Sequence, residues 1–191
     1  MNTKKFVAFL LALAIFSLSA MAEEAPQRNA YFGETHLHTS WSLDAWLFGN
    51  RKTGPEGAYK YAKGQTIKHP LGYDIKITTP LDFMGVTDHS EYVGLTMEAN
   101  TPGSAISKMP EAQPLIIKDP NNKEEVEKAF VYLVKLLGSP PIKAFMSPEV
   151  AGTIWKKNVN IADESNEPGK FTAFCSYEWT SQNDNRNLHR N

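Results

Sequence analysis

The chain of 191 residues holds five histidines: His36, His38, His69, His89 and His189. Two of them are one residue apart in Glu34-Thr35-His36-Leu37-His38-Thr39-Ser40-Trp41-Ser42-Leu43-Asp44. Side chains alternate faces along an extended chain, so His36 and His38 point the same way and can place two imidazoles on one metal ion. Alone, His-x-His describes a pair of packed or surface histidines equally well. The remaining histidines shift that balance. His89 follows Asp88 in Val86-Thr87-Asp88-His89-Ser90, directly after the apolar run Leu81 to Val86. His189, in Asn187-Leu188-His189-Arg190-Asn191, comes soon after Glu178 in Cys175-Ser176-Tyr177-Glu178-Trp179-Thr180. Three times, then, a strand-like run ends in His, Asp or Glu. Sites of α/β folds are assembled from groups at the carboxyl ends of parallel strands. Neutral imidazole together with carboxylate suits Zn²⁺, Mn²⁺ or Fe²⁺, and ligand type does not choose among them. His69, just before Pro70-Leu71-Gly72, reads as a surface residue.

The elements that must position these groups follow from periodicity and punctuation. Tyr31 to Thr35 reads as a first strand, and Thr39 to Asn50 as a long loop. Thr53-Gly54-Pro55-Glu56 starts a helix that stops near Gly64, with Pro in its first turn. Gln65 to Thr79 reads as a β-hairpin. Leu81 to Thr87 is a second strand, apolar on both faces apart from Asp82, as a parallel strand under helices is. Glu91 to Glu98 suggests a short helix. Asn100 to Asn121, rich in Pro, Gly, Ser and Lys, reads as a long excursion that rims the site and governs substrate choice. Asn122 to Leu137 predicts a helix with Val126, Phe130, Leu133 and Leu137 inward, acidic first turns and a stop at Gly138. Ser147-Pro148-Glu149 opens another, with Ser147 as N-cap and Val150, Ile154 and Ile161 on its apolar face. Phe171 to Thr180 is a third strand, with Glu178 near its end. Alternating strands and helices argue a parallel sheet under helical cover.

Residues 1–22 have the pattern of a cleavable secretory signal peptide. Lys4 and Lys5 precede an apolar stretch from Phe6 to Leu18, and Ala20-Met21-Ala22 is a small-x-small cleavage site. The apolar stretch falls short of the roughly 20 residues of a membrane span, so no stable anchor is expected after cleavage. A periplasmic or secreted location follows, with residues 23–29 as a flexible mature N-terminus. The remaining roughly 170 residues suffice for one domain with a core. Lys and Arg number 20 against 21 Asp and Glu, a balance that points away from nucleic acid and anionic membrane surfaces. Cys175 is the only cysteine, so no internal disulfide forms, and its strand-like setting predicts a buried thiol.

The blocks His36 to Asp44, Thr87-Asp88-His89 and the later Glu178 resemble the PHP (polymerase and histidinol phosphatase) superfamily of metal-dependent phosphoesterases. Their wording, with Tyr31 to Ser40, Pro80 to Tyr92 and Tyr177 to Asn191, resembles the bacterial DUF3604 family more closely. The resemblance implies an α/β fold, residues 30–191 forming the N-terminal portion of a distorted (β/α)7 barrel. It implies two or three divalent ions: His36 and His38 on a first, Glu178 bridging, His189 on a second, and Asp44 with His89 on a third. It leaves Asp88 between ligand and orienting carboxylate, and sets Arg190 to meet a phosphate. The catalytic candidates are therefore His38, Asp88, Glu178 and Arg190. The implied activity is water activation for hydrolysis of a small-molecule substrate, a phosphomonoester or phosphodiester first, an amide or lactone otherwise. PHP sites are completed by a late Asp-x-His, whereas this chain stops at Asn191. That departure suggests truncation after the third core strand. The competing expectation is accordingly a catalytically inactive periplasmic fragment that binds metal or a partner.

Overall fold

A computed structural model describes residues 28–181 and 187–191. The expected signal peptide and most of the mature N-terminus fall outside the described residues. Among the described residues, no helix is long and apolar enough to cross a membrane.

Three short parallel strands form the central sheet, in the order β1 (Gly33–Glu34), β4 (Phe83–Val86), β5 (Thr172–Cys175). Gly33 pairs with Phe83, and Phe83 with Thr172. No side chain fits at position 33, because a Cβ there would collide with the Phe83 ring and carbonyl. Between β1 and β4 lie α1 (Leu43–Leu47), α2 (Pro55–Ala62) and the hairpin β2–β3 (Ile67–Lys68, Asp74–Ile75). Between β4 and β5 lie α3 (Leu95–Ala99), two 3-10 turns, α4 (Lys123–Leu137) and α5 (Ala151–Ser165). The chain then forms the antiparallel pair β6 (Trp179–Ser181) and β7 (Leu188–Arg190). The protein is thus a mixed α/β fold with a parallel three-stranded sheet and helices.

Two apolar clusters hold it together. In the first, Met84 and Val86 of β4 pack with Ala58, Tyr59 and Ala62 of α2, Ala162 of α5, and Phe171. The small residues of α2 let it lie close on the sheet, and the buried Tyr59 hydroxyl donates to the Phe174 carbonyl at 2.9 Å. The second joins the segments that leave the strand ends, Trp41, Leu43 and Leu95, to Leu133 and Leu136 of α4 and Ile154 of α5. The loops carrying the ionisable residues are therefore anchored in a core of their own.

Several expectations are corrected. The Thr39–Asn50 loop contains α1, a helix of five residues that buries Leu43 and Trp46. The Asn100–Asn121 excursion buries Ile106, Ala112 and Leu115 in the second cluster through its 3-10 turns; it is part of the core, not a rim of the site. Helix α4 has the expected span, and Asn122 caps it by accepting from the Glu124 and Glu125 N–H groups at 3.1 and 3.4 Å. Its buried face is Ala129, Leu133 and Leu136, which leaves Phe130 43% exposed. Ser147 caps a turn, its hydroxyl accepting from the Val150 N–H at 3.3 Å, and regular helix begins only at Ala151. The third strand breaks after Cys175 and resumes at Trp179. Cys175 is exposed, at the end of the edge strand β5.

Candidate metal centre

Beyond β1 the chain bends at Thr35, where Glu34 Oε1 accepts the Thr35 and His36 N–H groups, and is tied to the end of β4 at Leu37. The Leu37 N–H donates to Thr87 Oγ1 at 2.9 Å, and the Thr87 N–H to the Leu37 carbonyl at 2.8 Å. With Leu37 fixed, its neighbours His36 and His38 fall on one side, ring centroids 5.3 Å apart. One residue on, Asp88 takes hold of Thr39. Its Oδ1 accepts the Thr39 N–H at 2.5 Å and its Oδ2 the Thr39 hydroxyl at 2.7 Å. Asp88 is 4% exposed, and burial pushes its carboxyl up to about 6 against the lowering effect of those bonds.

Ser42 and Asp44 fix the next layer. The buried Ser42 hydroxyl donates to Asp44 Oδ1 at 2.5 Å, accepts the His89 N–H at 3.2 Å and lies 3.3 Å from His38 Nδ1. Asp44 Oδ2 is 2.9 Å from His38 Nδ1 and 3.7 Å from His89 Nε2. The Asp44 hydrogen bond is the main reason the His38 pKa is raised, against burial. Burial works to raise the pKa of Asp44, but bonds with His38, His89 and Ser42 outweigh it and hold the carboxyl well below its ordinary range. His89 is pushed up to about 10 by Asp44 and then Glu91.

Glu178 is where these lines meet. It stands just beyond β5, bridged to His89 in parallel register, with its N–H donating to the Asp88 carbonyl at 3.0 Å. Its side chain is 2% exposed. Oε1 lies 3.5 Å from His36 Nε2 and 3.0 Å from His189 Nδ1; Oε2 lies 2.6 Å from His38 Nε2 and 3.8 Å from His89 Nδ1. One carboxylate thus faces four imidazoles, two on each oxygen. His189 arrives from β7, opposite Thr180, whose hydroxyl lies 3.2 Å from His189 Nδ1 and 3.3 Å from His89 Nδ1.

Three overlapping donor groups result: His36, His38 and Glu178; His38, Asp44 and His89; His89, Glu178 and His189. Within each, the donor atoms lie within 4.8 Å of one another. The fit to a cation is supported by the inner pair. His38 Nε2 and Glu178 Oε2 are buried, and neither has a hydrogen-bond partner. They approach to 2.6 Å, but at angles that make no hydrogen bond between them. Two buried donor atoms that converge this closely without a hydrogen bond suit a positive ion. The other nitrogen of His38 meets a carboxylate, the arrangement that fixes ring and tautomer in metal-ligating histidines.

Six of the seven expected ligands are therefore brought together: His36, His38, Asp44, His89, Glu178 and His189. Asp88 stands beside them but spends both oxygens on Thr39 and belongs to none of the three groups. Arg190 neighbours His189 on β7, so its side chain leaves the opposite face, pairs in register with Trp179 and is exposed. His69 stacks on Tyr73 at 4.4 Å in the hairpin, away from the cluster. Sequence reasoning did not single out Thr39, Thr180 or Glu91. For Glu91 a signal exists: it follows His89 at the spacing that separates His36 from His38.

Fold and cluster together define a mixed α/β protein with an imidazole–carboxylate centre at the ends of its parallel strands. The chain belongs to the DUF3604 family, described as a protein of unknown function, whose model matches residues 25–191. No curated protein matches the chain, and no solved structure does.

Proposed function

We propose that the protein is a metal-dependent hydrolase, with phosphate monoesters or diesters as its substrates. The observation that carries the reading is Glu178, a buried carboxylate presenting each oxygen to a different pair of histidines. His36 and His38 with Glu178 hold one cation, and His89 and His189 with Glu178 hold a second. The group of His38, Asp44 and His89 is a place for a third; in its absence Asp44 orients both rings. Divalent ions so held supply a Lewis acid and a bound water of lowered pKa. The protein's part is to hold the Glu178 carboxylate buried among the four rings, to hold the two inner rings through Asp44 and Ser42, and to lock the loop after β1 through Asp88. The exposed sides of His36 and His189 leave an open flank where a substrate oxygen can enter.

The PHP-type reading of the fold belongs to this proposal. It is supported by the parallel order β1, β4, β5 and by the position of His36, His38, His89 and Glu178 beyond the ends of those strands. The Lys4-to-Ala22 pattern supports export to the periplasm or beyond. The test is hydrolysis of p-nitrophenyl phosphate and bis-p-nitrophenyl phosphate by protein loaded with Mn²⁺ or Zn²⁺, beside a carboxylic ester and a lactone. Turnover of a phosphate ester that chelation abolishes is expected. Activity confined to the ester or lactone moves the reading to carbonyl chemistry, and metal-loaded protein inert to all four contradicts it.

A further inference from the structure

The start of α2 has no side-chain cap, and the groups around it share one groove. Pro55 has no N–H, and the first helical bond runs from the Ala58 N–H to the Gly54 carbonyl at 3.1 Å. The Glu56 and Gly57 N–H groups in between have no acceptor among the described residues. Helices usually satisfy these donors with a Ser, Thr, Asp or Asn at the cap. Here the cap is Gly54, in an extended conformation with φ −87° that any residue adopts. A Cβ at Gly54 would stand 3.1 Å from Trp41 Nε1 and 3.6 Å from Ser40 Oγ, so glycine keeps the space between these atoms and the cap open. Ser40 is 3% and Trp41 7% exposed. Their backbone is occupied, the Ser40 N–H on the Thr53 carbonyl at 2.9 Å and the Trp41 N–H on Thr39 Oγ1 at 3.2 Å. The Ser40 hydroxyl and the Trp41 indole N–H have no partner among the described residues, whereas buried donors of both kinds usually find one.

Both residues line a groove of about 450 Å³ together with Arg51, Lys52, Lys60 and Lys68. Glu56 is the one carboxylate on its wall among the described residues, and Lys60 engages it at 2.5 Å; Lys68 is engaged by Asp74 at 2.6 Å. Arg51 and Lys52 have no carboxylate partner among the described residues. The Arg51 guanidinium lies 5.2 Å from the centre of the Trp46 ring, and its buried Nε has no hydrogen-bond partner. We infer that this groove is an oxyanion site whose ligand is a phosphate group. The start of a helix offers an anion its free N–H groups and the positive end of its dipole. The indole N–H and the hydroxyl add donors from another segment of the chain, and Arg51 supplies charge in a fork that matches phosphate oxygens. A carboxylate, with two oxygens in one plane, uses fewer of these donors. Water accounts for the N–H groups of a bare cap, but not for two side-chain donors, each on a residue more than nine-tenths buried, left unpaired beside it. None of the six metal-ligand candidates lines the groove, so the inference does not rest on the proposed reaction.

The test is titration of the purified full chain with inorganic phosphate and with methylphosphonate, followed in ¹H–¹⁵N spectra, with and without a chelator. The chain has four tryptophans, and Trp41→Phe identifies the Trp41 indole signal. A saturable shift of that signal and of the Glu56 and Gly57 amides is expected, of the same affinity with chelator present and absent with chloride at equal ionic strength. Tighter binding of phosphate upholds the inference with free phosphate as the ligand; tighter binding of methylphosphonate upholds it with a phosphate group carried on a larger molecule. Arg51→Gln is expected to bind at least tenfold more weakly. Should that variant fold poorly for want of its contact with Trp46, Gly54→Ala serves the same purpose, since its Cβ fills the space before the donors and its φ suits alanine. No saturable shift with either ligand, a shift that chloride reproduces, or wild-type affinity in a folded variant of each kind overturns the inference. So does binding that the chelator abolishes, which would place the phosphate on a metal ion.

Discussion

His38 and His89 have side chains only 17% and 12% exposed, with acidic partners near both ring nitrogens; His36 and His189 are 59% and 37% exposed and meet the cluster's acids only through Glu178 Oε1. The inner pair is held by bonds that need no ion. Asp88 clamps Thr39, Thr87 ties Leu37, and Ser42 joins Asp44 to the backbone of His89. The outer pair hangs from a two-residue strand and from β7, with little packing of its own. Folding therefore builds the inner half, while under the proposed metal reading the outer half is the part left for a cation to organise.

The harshest way to break that comparison is at the residue both halves share. Glu178→Gln is expected to weaken metal binding by more than the roughly 10–100-fold typical of outer-shell changes, and at every site. Titration showing only one site affected would mean the carboxylate does not bridge. Next in size is Asp88→Ala, which strands the buried Thr39 N–H. It is expected to cost about 1–3 kcal/mol in the metal-free protein, read by urea denaturation. A neutral result would show that the inner half is not pre-built. His36→Ala should leave metal-free stability within about 0.5 kcal/mol, as exposed substitutions usually do, while removing the first cation; melting and metal content in parallel check it.

The finest probe is the proton. His89 holds its proton up to about 10, above its ordinary value. Its contribution to metal-free stability is therefore full below about 6.5 and lost as pH rises through about 10. A cation on that nitrogen must expel the proton, so metal uptake near pH 7 should release protons, fewer as pH approaches 10. Calorimetry in buffers of different ionisation enthalpy counts them; uptake without proton release would take His89 out of the site.

Most of the cluster was legible because metal chemistry admits few residue types, and His36, His38, His89 and Glu178 each sit where a strand-like run ends, with His189 soon after. The three parallel strands and the long α4 were legible for the same kind of reason, since apolar runs and helical spacing are local signals. What stayed hidden depends on contacts between distant segments. The Asp88 carboxylate meets Thr39 across 49 positions and Glu91 meets the Thr180 N–H across 89, so neither role shows in its own neighbourhood. Phe130 was set inward by spacing alone, yet α4 lies on the core through Ala129, Leu133 and Leu136. Cys175 was misjudged because nothing local says that β5 is a sheet edge. Helix α1 is too short for a periodic signal, and burial of Leu43 and Trp46 forms it.

The measurement that bears most directly on the account is metal per chain, by elemental analysis, in the purified wild-type protein and in Glu178→Gln after equilibration with Zn²⁺ or Mn²⁺. Two or more ions per wild-type chain, nearly all lost in the variant, is the predicted result. Wild-type protein that retains less than one ion per chain, or a variant that retains them all, would contradict a Glu178-bridged metal centre.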